Sequence, residues 1–156
     1  MSDHAMKITR FEDLECWQQG RKLTNSVYNV TANGAFNRDF RLSSQIQAAA
    51  TSVMANIAEG FARHTDKEFI QFLFISMSSA AEVQSHLYVA LDRDYVDQQQ
   101  FDELYGSAKK AGMLTSGLVK YLRSNPTRQT TKPSGHVKPN RSDRQDRRYD
   151  RTDRTD

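Results

Sequence analysis

The side chains that could do chemistry in this chain are few and poorly spaced for it. There is one cysteine, Cys16, and four scattered histidines, His4, His64, His86 and His136. They form no Cys/His cluster spaced for zinc, and a lone cysteine excludes an intramolecular disulfide. A di-iron centre in a helical bundle takes a Glu from each of two helices and Glu-x-x-His from the other two. No Glu-x-x-His occurs; Glu82 and His86 stand at i, i+4, which suits a surface contact, and Glu59 and His64 are five apart. Cys16 sits beside Trp17 near an apolar stripe, and Ser52, Ser76, Ser78 and Ser79 have no base at a motif spacing. A glycine-rich phosphate loop of the Walker or dinucleotide type is also missing. The chain therefore reads as a non-enzyme without a metal or nucleotide cofactor.

What does ask for explanation is the segment from Ser52 to Arg63, which puts Asn56, Glu59 and Gly60 in or beside a run of apolar residues. An amide, a carboxylate and a glycine are each costly there. Three readings stay open. Asn56 and Glu59 pair with a neighbouring helix, or Glu59 with Arg63 at i+4, while Gly60 permits close approach; the polar residues fix register or assembly; or they line a ligand site. Four basic clusters, Arg21-Lys22, Arg38 with Arg41, Arg63 with Lys67, and Lys109-Lys110, are either solvated helix faces or weak nucleic-acid contacts.

The elements that must position these residues are helices. The first 100 residues hold three glycines and no proline precedes Pro126, so long helices pass uninterrupted. Phe11, Leu14, Trp17, Leu23, Val27 and Tyr28 form one stripe ending near Asn33-Gly34, where glycine suits a left-handed cap. Asp39 caps a second helix over roughly 40–63, with Leu42, Ile46, Ala49, Val53, Ile57 and Phe61 as its stripe. Thr65 and Glu68 make a capping box that starts a third helix at Asp66, running to Leu91, with Tyr95 and Val96 packing over the bundle end. Asp97 caps a fourth, which stops at Asn125-Pro126. Short loops between such helices force neighbours antiparallel. The expected fold is all-α, an up-down-up-down four-helix bundle over residues 11–125, with a flexible N-terminus over 1–10.

Residues 1–125 carry 13 Lys+Arg against 14 Asp+Glu, whereas 126–156 carry 9 against 5, so the basic character belongs to the tail. That tail has one Val and one Tyr as its only sizeable hydrophobes and a near-repeat of Arg-x-Asp. It cannot bury enough apolar surface to offset ordering entropy and is expected to be disordered. No secretory signal or membrane-length apolar run occurs, so the expected compartment is the cytoplasm, without membrane partners.

Several of these residues carry a resemblance. Leu42-x-x-Gln45, Ala48-Ala49, Ser52, Asn56-Ile57-Ala58-Glu59-Gly60, Arg63, Glu68-Phe69, Phe72-Leu73 and Ser79-x-x-Glu82 resemble the four-helix-bundle family named for open reading frames in 23S rRNA intervening sequences. Phe11-x-x-Leu14-x-x-Trp17 and Val27-Tyr28 look like its first helix, and the likeness covers about residues 8–124. It implies a ring-shaped homopentamer without known catalytic activity, in which Gln45, Ser52, Asn56, Glu59, Gly60, Arg63 and Glu82 form a structural or assembly motif. A related branch implies RNA or DNA and a reverse transcriptase as partners. In that case Arg21, Lys22, Arg38, Arg41, Arg63, Lys67, Lys109 and Lys110 are the candidate nucleic-acid contacts, multiplied by fivefold repetition. The alternative is a protein-interaction module that recruits a partner encoded nearby, with Phe74 and Tyr88 outside the core stripes as contact residues.

Overall fold

The computed structural model describes residues 8–128, and the expectations made for residues 1–7 and 129–156 lie outside the described residues. Among the described residues the chain is all helical, in the order α1 (Glu15–Thr31), α2 (Gly34–Arg38), α3 (Phe40–Phe61), α4 (Asp66–Asp92) and α5 (Gln98–Ser124), with a single 3-10 turn at Phe11–Asp13 before α1. The four long helices are the expected up-down-up-down bundle. α3 packs on α1 and α4, and α5 packs on α4 and α1, so the ring order is α1, α3, α4, α5. At 27 residues each, α4 and α5 are about 40 Å long.

Caps explain where the helices start. The Asp39 carboxylate accepts from Leu42 N at 3.0 Å, and Asp97 and Gln100 complete a reciprocal capping box. At α4 the Thr65 hydroxyl accepts from Glu68 N, but the Glu68 carboxylate accepts from that hydroxyl at 2.8 Å rather than from the Thr65 amide, so the expected box is half made. α4 ends in a Schellman motif: Asp94 sits at φ 56°, its N–H donates to Leu91 O, and Tyr95 N donates to Ala90 O.

Two boundaries differ from the sequence reading. Residues 11–13 make a 3-10 turn rather than the first turn of α1, and the second long helix stops at Phe61 instead of 63. Gly34 does take positive φ, at 70°, but it opens the short helix α2 that the apolar periodicity gave no sign of. α2 closes one end of the bundle: Phe36 is buried and stacks on Tyr95 at 5.3 Å, and the Tyr95 hydroxyl donates to Asp39. Val96 is buried in the same cluster, as the sequence suggested.

The core has two apolar halves. The larger holds Leu23, Val27, Ile46, Val53, Val83 and Leu87; the smaller holds Leu14, Ile57, Phe69, Leu73 and Leu122. Between them lies a waist of small residues. Ser76 and Thr115 are fully buried there, and their hydroxyls donate to Val53 O at 2.7 Å and Ala111 O at 2.8 Å, so neither is left without a partner. Gly20 belongs to the same close approach, since a Cβ there would stand 3.1 Å from Met54 Cβ.

Candidate nucleic-acid interface

The residues of the assembly motif fall mostly on the α3–α4 side of the bundle. Ser52 Oγ meets Ser79 Oγ at 2.9 Å across the seam, and Asn56 Nδ2 donates back to Ser52 O and Oγ on its own helix. The link between helices is thus made by serine, with the amide supporting it. Glu59 pairs with Arg63 at 2.6 Å, and the Arg63 guanidinium lies 4.6 Å from the Phe72 ring centre. Gly60 is buried where α3 meets α4: a Cβ would come within 2.7 Å of Phe69 Cδ2 and Phe72 Cβ. Gln45 and Glu82 are not drawn into this cluster; Gln45 is exposed, and Glu82 meets His86, at 3.4 Å. Among the described residues no three His, Cys, Asp or Glu side chains form a metal-binding group, and no helix is long and apolar enough to cross a membrane.

The basic clusters separate into two kinds. Arg63 is committed to Glu59 and Phe72. Arg38 and Arg41 stand at the end of the bundle where α2 meets α3, and Lys67 stands in the first turn of α4. By contrast, α1 and α5 bring Arg21-Lys22 and Lys110 to the same side, whereas Lys109 lines neither hollow there. Among the described residues these four cations form no ion pair, and Arg21 lies 6.0 Å from the Trp17 ring centre.

Between α1 and α5 runs a groove of about 580 Å³ into which Lys22 and Lys110 both face. Its polar base is Gln19, 8% exposed, whose Nε2 donates to Ser107 Oγ at 2.9 Å and Ser107 O at 3.2 Å. Leu104 and Val30 supply apolar floor, Asn29 an amide, and Glu103 the one carboxylate. A second hollow of about 650 Å³ adjoins it on α1, shares Lys22 and Ser26, and adds Trp17, Arg21 and Asn25. The groove thus sets two lysines from different helices, with no ion pair among the described residues, beside amides and a small apolar patch.

A further constellation escaped the sequence reading. The Asp66 carboxylate, 6% exposed, accepts from Thr127 N at 2.6 Å and Arg128 N at 2.9 Å, and Asp66 N donates to Arg128 O. Arg128 Nη1 donates to Phe61 O at 2.7 Å and Arg63 O at 3.2 Å, satisfying carbonyls at the end of α3, and its guanidinium faces the Phe61 and Phe69 rings at 4.9 and 5.6 Å. The first residues assigned to the tail are therefore strapped to the α3–α4 corner. Phe74 and Tyr88, proposed as contact residues, are half-exposed but already engaged: Arg123 lies over Phe74 at 5.5 Å, and Tyr88 packs on Phe101 and Tyr105.

Comparison with known proteins bears on residues 12–117 and on the fold they adopt. The family model described as 23S rRNA-intervening sequence protein matches residues 12–117. No curated protein matches. A solved structure described as a protein with unknown function from the S23 ribosomal protein family of Bacteroides thetaiotaomicron VPI-5482 is 21% identical, with TM-score 0.62, covering 67% of this chain and 98% of its own. At that identity it speaks for a shared fold.

Proposed function

Since the chain belongs to the 23S rRNA-intervening sequence protein family, we propose that it is a non-enzymatic, oligomeric scaffold that binds nucleic acid along the α1–α5 side of the bundle. The observation that carries this reading is the convergence of Lys22 and Lys110 on one groove, with Arg21 beside it and no ion pair at any of the three among the described residues. Unpaired cations on one face exchange counterions for phosphates at little desolvation cost. The motif residues support assembly through the opposite side. α3 shows small exposed residues there, Ala48 and Ala55, next to the Ser52–Ser79 link, and α4 shows Ile75 at 48% exposure.

The test is retention of structured RNA by the full chain across a salt series. Binding is expected to weaken as salt rises, and the triple substitution R21Q/K22Q/K110Q is expected to lower the logarithmic salt slope by about 2–3. R38Q/R41Q is expected to change it little. No retention, or retention indifferent to salt, overturns the reading. Light scattering is expected to give about five times the 17.9 kDa chain mass, and a monomer removes the scaffold.

A second reading, recruitment of a protein partner such as a reverse transcriptase, is favoured by Met113 and Tyr121, 65% and 58% exposed on α5. Crosslinking to the product of a neighbouring gene, lost in M113K/Y121K while RNA retention persists, would establish it.

A further inference from the structure

We propose that the α1–α5 groove takes an unpaired strand of nucleic acid, with one base seated on its floor beside Gly106 and the adjoining phosphate between Lys22 and Lys110. This deepens the nucleic-acid reading and rests on it. The groove's volume of about 580 Å³ lies in the range of about 300–1,000 Å³ of sites that enclose a single small ligand. A duplex offers such a groove mainly its backbone, because its Watson–Crick edges are paired and its stacked bases cannot enter. An extruded base reaches the floor.

The floor suits a base. Val30, partly exposed, gives it an apolar edge over the buried Leu104, while Gln19, Asn29 and Glu103 offer amide and carboxylate groups to ring edges. Gln19 is held in advance, because its Nε2 is anchored on Ser107 and its Oε1 has no hydrogen-bond partner among the described residues. The Glu103 carboxylate can accept from an exocyclic amino group, and its charge keeps the phosphate on the lysine side. The second hollow continues the path, since a strand crossing Lys22 and Ser26 next meets Trp17 and Arg21, the pairing of ring and cation on which single strands are held.

Gly106 adds an independent argument. It lies in the interior of α5, where glycine lowers helix stability, and among the described residues a Cβ would meet nothing within 4 Å there or at Gly117, so packing requires glycine at neither and the groove sets Gly106 apart. It lines this groove. Its missing side chain leaves α5 open to close approach by a ligand from outside the chain.

The experiment is fluorescence anisotropy on the full chain at low salt, using a labelled RNA of about 12 nucleotides, single-stranded or annealed to its complement. The single strand is expected to bind about tenfold tighter or more than the duplex, and Gly106→Leu to remove about tenfold while holding or raising the melting temperature. Gly117→Leu, on the same helix where a Cβ is also free of contacts, is expected to bind like the unmodified chain. Gln19→Met provides a near-isosteric second variant and is expected to weaken the single strand while sparing the duplex. Equal binding of the two forms, with loss in K22Q/K110Q but none in Gly106→Leu, overturns this inference and leaves the proposed function standing. Failure of both forms to bind overturns both.

Discussion

Replacing Asp66 by Ala asks whether the residues after α5 belong to the fold. Its carboxylate receives Thr127 N at 2.6 Å and Arg128 N at 2.9 Å, and hydrogen bonds to a charged group contribute about 1.5–3 kcal/mol each, or roughly 3–6 for the pair. Holding three residues, 126–128, costs about 1–2 kcal/mol each in backbone entropy, roughly the same sum. The Arg128 contacts with Phe61 and Phe69 add about 1 kcal/mol, and the negative charge at the start of α4 adds about 0.3–1. The net contribution is therefore about 1–2 kcal/mol. It cannot be larger, because once the carboxylate is gone the strap detaches and its amides bond to water instead of staying buried unpaired. With an unfolding entropy near 2.1 cal/mol/K per residue over about 120 residues, that loss lowers the melting temperature by about 4–8 °C. Thermal and urea melts of Asp66→Ala, of the chain ended after Asn125, and of the two together provide the assay. Each single change is expected to destabilise, and the combination to fall within about 0.5 kcal/mol of Asp66→Ala alone. Additive losses would mean that Asp66 stabilises something other than residues 127 and 128, and would refute the reasoning.

Two further outcomes follow from the core. Gly60→Ala places a Cβ 2.7 Å from atoms of Phe69 and Phe72; overpacking of about 1–3 kcal/mol exceeds the helix-propensity gain of about 1, so melting is expected to fall, and a rise would show that the α3–α4 contact yields freely. Burial pushes the Cys16 thiol from 9.0 up to about 11. Below pH 9 the folded and unfolded states both keep the thiol proton. Between 9 and 11 the unfolded state loses it first, so stability falls on the order of 2–3 kcal/mol over that window. Cys16→Ala is expected to flatten this part of a pH series of urea melts, and the native thiol to resist a disulfide reagent at pH 8 until urea is added. An unchanged pH series or a prompt native reaction counts against the burial.

How much of this was legible depended on whether the signal was local. Asp39, Thr65 and Asp97 begin α3, α4 and α5 through contacts three residues long, so each could be read directly from the chain. The five residues of α2 hold one large apolar side chain, Phe36, too few for any period to register, and its burial rests on Tyr95 far along the sequence. Asn56 was visible as an anomaly, but its partner was not: it bonds to Ser52 within its own helix, and Ser79 completes the link from α4. Arg128 lies in a polar stretch whose composition argues against burial, and only the fold shows that it returns to a carboxylate 62 residues earlier. The same holds for the groove. Arg21-Lys22 and Lys109-Lys110 looked alike among four basic pairs, and adjacency of the first and last bundle helices decides which of them meet.

That adjacency gives the bundle two sides with different chemistry. Ring order α1, α3, α4, α5 sets the α3–α4 side opposite the α1–α5 side. On the first, most polar groups are partnered, as in Ser52 with Ser79 and Asn56, or Arg63 Nη2 with Glu59, although Arg63 Nε has no partner among the described residues, so a second copy could cover it without stranding an unpaired charge. On the second, Lys22 and Lys110 have no partner among the described residues and line an open groove, so covering it with a like copy would bring cations together at a cost of desolvation and repulsion. A closed ring takes two different patches on each copy; drawn from the α3–α4 side and its flanks, they would leave the grooves outward, each free to take one segment of a common strand. The affinity of such a ring should then rise steeply with strand length until every groove is served, whereas a monomer would gain nothing beyond the length that fills one.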